Sequence, residues 1–176
     1  FHIPVVDTNS IRMNYALGGG VTMDIGCYPI SWVRHITGLE PESVQATAVE
    51  GPPHVDICLS TQMAFANGVR ATTSGDMRPG VKFEAWLKVQ GSDGSMQVTN
   101  PLVPQNGNAI EVSSGSVSRT ETFERRPTYG YQLDAFLSAV NEGTPLWTNA
   151  WDGVKQMQVI DSAYRAAGMP VRGLAN

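Results

Sequence analysis

The chain of 176 residues sets 12 Lys and Arg against 16 Asp and Glu, a formal net charge of −4, which excludes the basic face on which nucleic-acid binding depends. No apolar run reaches the roughly 18 residues of a membrane span. Two cysteines, Cys27 and Cys58, exclude a disulfide framework or a cysteine zinc site, so a reducing, cytoplasmic setting is expected.

By length the chain reads as one domain, residues 1–176. A polar lead-in, Asp7 to Asn14, precedes Gly18-Gly19-Gly20, where Gly19 is expected to take φ > 0. From Val21 to Thr37 the pattern is helical: Val21, Ile25, Tyr28 and Trp32 recur at spacings of three and four. Gly38 and Pro41 stop this helix, and Pro29 inside it, lacking a backbone donor, predicts a kink. The period then changes to two. Val44, Ala46 and Ala48 alternate, followed by Val55, Ile57, Leu59, Met63 and Phe65, with Asn67-Gly68 as a hairpin turn. Lys82 to Gln90 reads as a strand with Phe83, Ala85, Leu87 and Val89 on one side and Trp86 and Lys88 on the other. Gly91-Ser92-Asp93-Gly94 turns into Ser95–Thr99. A loop from Asn100 to Asn108 and two weaker strands, Ala109–Ser113 and Val117–Phe123, follow. Leu133, Phe136, Leu137 and Val140 mark a second helix ending at Gly143, opened by the aromatic pair Tyr129 and Tyr131, expected to pack. Val154, Met157, Ile160, Tyr164 and Ala167 mark a third. This order argues α+β: a largely antiparallel open sheet with helices packed on one face.

Chemistry concentrates between Gly18 and Gly38. Asp24 and Tyr28 stand four apart, hence on one helical face. A phenol exchanges protons with an alcohol or carbonyl once its ordinary pKa near 10 is lowered, and a neighbouring carboxylate can hold a hydroxyl. The same spacing also fits a core tyrosine beside a capping or solvated aspartate. His35 continues that face seven residues beyond Tyr28. The glycine triplet lacks G-x-G-x-x-G spacing and a preceding strand, so it is not a dinucleotide fingerprint. His2, His35 and His54 show no metal-ligand spacing, and Arg125-Arg126 reads as a solvated pair.

The segment GGGVTMDIGCYPISWVRHITGLEP resembles the opening of the C-terminal domain of the Gfo/Idh/MocA oxidoreductases, the family of glucose–fructose oxidoreductase and inositol dehydrogenase. YGYQLDAFLSAVNEGTPL and WDGVKQMQVIDSAYRAAG resemble its closing helices, so the resemblance brackets Asp7 to Gly168. The tyrosine at position 28 is similar to the glucose–fructose oxidoreductase and dimeric dihydrodiol dehydrogenase branch. The resemblance implies NAD- or NADP-dependent hydride transfer on a sugar, cyclic polyol or related compound. It places Tyr28 as the proton-transfer residue, Asp24 at the substrate pocket and Arg12 near substrate or cofactor, while His35, by its place on the same helical face, is read toward the substrate. It also implies a homo-oligomer formed through the open sheet face, with Trp86 on it, which agrees with a charged fraction of only 16%, against about 25% in ordinary domains. The family's Rossmann domain and Glu-Lys-Pro motif have no counterpart here, the lysines being Lys82, Lys88 and Lys155. A chain opening on Phe1 therefore reads as the C-terminal half of such an enzyme, inactive alone. A stand-alone binding or assembly module on the same scaffold is the competing expectation.

Overall fold

Alternation of apolar and polar residues after Pro41 becomes two antiparallel sheets. The structure, a computed structural model, describes residues 1–5 and 7–173. Strands β1 (Ser43–Glu50), β2 (Asp56–Ala64) and β3 (Arg70–Asp76) form the first sheet in the order β1-β2-β3. Strands β4 (Trp86–Gln90), β5 (Gly94–Thr99), β6 (Ala109–Ser114) and β7 (Val117–Glu121) form the second as a meander. The chain divides into two compact units, Glu84–Asn149 and the remainder.

In the first unit the Asn67-Gly68 turn joins β2 to β3, with Gly68 at φ 80 and Val69 N–H donating to Asn67 Oδ1 at 3.2 Å. Register pairs Leu59 with Gly75 and Thr61 with Thr73, whose hydroxyls meet at 2.7 Å. Leu59, Met63 and Phe65 alternate into the core beneath helices α1 (Cys27–Thr37) and α3 (Ala150–Ala166), where Ile30, Val159, Ile160 and Tyr164 meet them. Gly75 is the point of closest approach: a Cβ there would lie 3.2 Å from Val21 and 3.3 Å from the Gly26 Cα, so the absent side chain lets the helical segment lie down on β3. Arg34, 4% exposed, ties α1 to its surroundings through Glu40 (2.7 Å), Asp152 (2.8 Å) and Gln156 (2.9 Å).

The expected strand from Lys82 begins only at Trp86. Pro79 cannot donate to a ladder and Gly80 turns at φ 87, so the chain leaves the first sheet at this point. From Ala85 onward the alternation holds: Ala85 is buried, while Trp86, Lys88 and Gln90 are exposed. Asn100, itself at φ 56, closes the following loop by donating to the carbonyls of Val103 and Gly107. Helix α2 (Thr128–Glu142) forms and ends at Gly143 as its periodicity predicts, yet none of its residues is buried. Leu133, Phe136, Val140 and the aromatic pair Tyr129 and Tyr131 stand exposed, against the expectation of packing. The Arg125-Arg126 pair is likewise not simply solvated, since Arg126 donates to Asp134 at 2.6 Å and stacks on Tyr131.

Candidate functional site

The three glycines close a turn on the lead-in segment. Gly18 N–H donates to Tyr15 O (3.0 Å), Gly19 to Asn14 O (2.8 Å) and Gly20 to Arg12 O (2.9 Å). These amides are used internally, so they cannot cradle a phosphate as the amides of a dinucleotide loop do; the triplet does not fit a nicotinamide dinucleotide. Positive φ falls on Gly18 (74°) and Gly20 (129°), whereas Gly19 is needed for a different reason than expected. A Cβ at Gly19 would sit 2.6 Å from the Arg12 carbonyl.

Behind the turn lies a buried charge pair. Asp56, 0% exposed, accepts from the Thr22 N–H (2.9 Å) and hydroxyl (2.6 Å) on one oxygen. Its other oxygen accepts from Arg172 Nη2 (2.9 Å) and the Tyr164 hydroxyl (3.1 Å). Burial pushes the Asp56 carboxyl above the usual carboxylate range while Thr22, Arg172 and Tyr164 pull against it. Burial, reinforced by the Asp56 charge, pushes the Tyr164 phenol far up, so it remains a donor.

From this anchor the chain enters a π turn, Thr22–Gly26, which runs into α1. The kink expected at Pro29 takes this form. Proline has no N–H and its ring crowds the carbonyl four residues back, and the wider turn accommodates both. One consequence is a shift of the buried face. Val21 and Ile25 point into the core as the spacing predicts, but beyond the π turn it is Pro29, Ile30 and Arg34 that are buried. Tyr28, which a continuous α-helix would turn inward with Val21 and Ile25, is 40% exposed. Its reading as a core tyrosine is thereby overturned. Its ring meets that of Phe1 edge-on at 6.0 Å, and Phe1 meets Phe83 at 5.8 Å.

Asp24 accepts from Arg12 Nε at 2.6 Å in a partly exposed ion pair, so the structure joins these two residues at the surface of the helix that carries Tyr28. His35 takes a different direction. It lies about 10 Å along the axis from Tyr28 by helical rise, its Nδ1 against the Ser31 carbonyl (2.8 Å) and its Nε2 4.0 Å from Asp152. Cys27 is no nucleophile: burial, and then the charge of Asp24, push its thiol up to about 11. A shallow depression of about 530 Å³ lies along the lead-in, lined by Ser10, Asn14, Tyr15 and Pro52 among others. Among the described residues no cluster of His, Cys, Asp and Glu could hold a metal, and no helix is long and apolar enough to cross a membrane.

Sequence reasoning passed over Thr22, Asp56 and Arg172, and read Tyr164 only as a member of the third helix's apolar stripe. One signal was available: Asp56 is a lone charge in the run Val55-Asp56-Ile57-Cys58-Leu59, where a carboxylate needs a partner if it is buried.

Residues 1–97 match the profile of the GFO/IDH/MocA C-terminal domain. Over 163 residues the chain is 28% identical to D-xylose 1-dehydrogenase (NADP(+)) 2 of Haloferax volcanii, covering 90% of this chain and 49% of that protein. Over 160 residues it is 26% identical to inositol 2-dehydrogenase of Rhizobium meliloti, covering 84% and 47%. Aldose-aldose oxidoreductase of Caulobacter crescentus, solved in complex with glycerol, superposes with a TM-score of 0.84 at 26% identity, over 95% of this chain and 51% of that one. The chain thus spans about half the length of the relatives it matches. With residues 1–97 of its 176 under one profile, and with the fold of those relatives, this chain belongs to the GFO/IDH/MocA C-terminal domain family.

Proposed function

We propose that this chain is the substrate-binding half of an NAD- or NADP-dependent oxidoreductase acting on a sugar, cyclic polyol or related hydroxyl or carbonyl compound. The observation that carries this reading is the exposure of Tyr28 on a helix start that also presents the Arg12–Asp24 pair at 2.6 Å. The relatives' names, a xylose and an inositol dehydrogenase, support the substrate class. Nicotinamide chemistry supplies the two-electron exchange in such enzymes. Since the glycine turn here offers no phosphate cradle, that half-reaction is assigned outside these residues and the chain alone is expected to be inactive.

Within the chain, the Tyr28 phenol gives its proton to the carbonyl oxygen in reduction and is left as the phenolate; in oxidation the phenolate takes the proton of the substrate hydroxyl as the hydride leaves for the nicotinamide. Asp24 accepts a hydrogen bond from a neighbouring substrate hydroxyl, and Arg12 keeps the carboxylate aimed through their 2.6 Å ion pair. His35, turned toward Ser31 and Asp152, is at most peripheral to the substrate. The exposed row Trp86, Lys88 and Gln90 on β4 is the proposed contact between copies.

The test is Tyr28→Phe in the full-length protein, assayed against a panel of aldoses and inositols with NAD+ and NADP+. A fall in kcat of about 10²- to 10⁴-fold is expected for loss of a general acid–base residue. Turnover within threefold of the parent would remove Tyr28 from the chemistry.

A further inference from the structure

We propose that Asp56 and Arg172 are positioning residues for the candidate site, a buried clamp that sets where Asp24 and Tyr28 stand. The inference rests on the reading of those two as site residues. The clamp's contacts converge on the four residues that launch the helix. Arg172 Nε donates to the Gly19 carbonyl at 2.8 Å, while Asp56 receives the Thr22 amide and hydroxyl. Between them sits Gly20, where a Cβ would fall 2.0 Å from Asp56 Oδ1 and 2.8 Å from Arg172 Nη2. The guanidinium is itself immobilised. It lies 4.2 Å from the Tyr164 ring centre and 4.9 Å from that of Tyr15, with Nη1 on the Pro170 carbonyl at 2.7 Å.

Two further bonds carry this geometry to the site. Gly20 N–H donates to Arg12 O at 2.9 Å, and Asp24 N–H donates to Gly20 O at 3.1 Å. Fixing Gly20 therefore fixes the backbone of both members of the Arg12–Asp24 pair, and the π turn transmits the placement to Tyr28 within two turns. A buried ion pair is a poor source of net stability, because desolvation offsets most of the attraction. Here it supplies a unique position: the forked guanidinium reaches a carbonyl and a carboxylate at once, which a lysine ammonium cannot reproduce. Neither side chain has surface to offer a ligand, Asp56 being 0% and Arg172 9% exposed. Their effect on a substrate passes through Asp24 and Tyr28.

The experiment uses the full-length protein with Arg172→Lys and Asp56→Asn, beside Tyr28→Phe and the double variant Arg172→Lys/Tyr28→Phe. Hydrogen exchange is followed in peptides covering residues 20–28 and 150–166, and kcat and KM are measured on the best substrate of the panel. For Arg172→Lys the expected results are at least tenfold faster exchange in residues 20–28 with residues 150–166 unchanged. A fall in kcat of about ten- to a hundredfold should accompany it, the scale of an ångström-sized misplacement, with KM for the nicotinamide nucleotide within twofold. The double variant should lose less than the product of the two single losses, because part of the Arg172→Lys effect acts through Tyr28. Asp56→Asn, which keeps the side-chain volume, should show the same pattern and covers the case in which Arg172→Lys does not fold. Unchanged exchange in residues 20–28, or kcat within twofold of the parent alongside a lowered Tm, would overturn the proposal and leave a purely structural pair. If Tyr28→Phe is silent, the proton-transfer role of Tyr28 fails, while the exchange data and the kcat of Arg172→Lys still decide whether the clamp positions Asp24.

Discussion

Arg12 Nε and Asp24 Oδ2 meet at 2.6 Å across a sequence separation of twelve, because the glycine turn between them folds the lead-in back along the start of the site helix. The side chains are 44% and 27% exposed, so solvent screens the pair and its contribution to stability is about 0–1 kcal/mol. Its value is in orientation. Arg12→Gln is expected to move Tm by no more than about 3 °C and to raise KM for the sugar about tenfold, the scale of one charge-assisted hydrogen bond. Thermal melts and steady-state kinetics on the full-length protein separate the two, and an unchanged KM would remove Arg12 from the substrate's surroundings.

The turn glycines differ in what they tolerate. Gly20 combines φ 129 with a Cβ position 2.0 Å from a buried carboxylate, whereas Gly18, at φ 74, has open space around it. Gly20→Ala should cost about 2–4 kcal/mol, strain and clash together, lowering Tm by roughly 5–15 °C. Gly18→Ala should cost about 1 kcal/mol, the left-handed penalty alone. Equal effects of the two substitutions in urea unfolding would contradict the geometry.

Acid sensitivity has an identifiable contributor in Glu40. The hydrogen bond from Arg34 holds its carboxyl below the usual range, aided by the Arg34 charge and opposed by burial. A carboxylate whose folded-state pKa is depressed adds stability above its unfolded pKa and loses it as pH falls through the folded value. Glu40→Gln should therefore lower stability at pH 7 and flatten the fall in stability between about pH 5 and 3. Denaturant titrations across that range check this; a parallel pair of curves would show that Glu40 is not linked to acid unfolding.

Trp86 stands 54% exposed on the outward side of β4 beside Lys88 and Gln90. If copies meet there, Trp86→Glu buries a charge at the interface and should shift the full-length protein toward monomer in sedimentation velocity. An unchanged distribution would clear this face.

Much of the architecture was legible in the sequence because its determinants are local. The Asn67-Gly68 hairpin needs only residues that accept positive φ, the ends of α1 and α2 need only the glycines that follow them, and the period-two runs need only their own alternation. The spacing of four between Asp24 and Tyr28 was visible, but not which way Tyr28 faces. That depends on a π turn, a tertiary accommodation of Pro29 and of the close Gly26–Gly75 contact, and it turns the phenol from core to surface. The α2 stripe shows the converse: periodicity specified the helix and left its burial undetermined, because burial requires a partner surface.

The amino-acid sequence by itself determined the fold class, the element order and the lack of dinucleotide-fingerprint spacing in the glycine triplet. The tertiary structure alone decided the exposure of Tyr28, the division of the strands into two sheets, the direction of His35 and the clamp of Asp56 and Arg172. The physical reason is range. Propensity and periodicity act over one or two turns, whereas an ion pair between residues 116 apart exists only once the core has brought β2 and the end of the chain together.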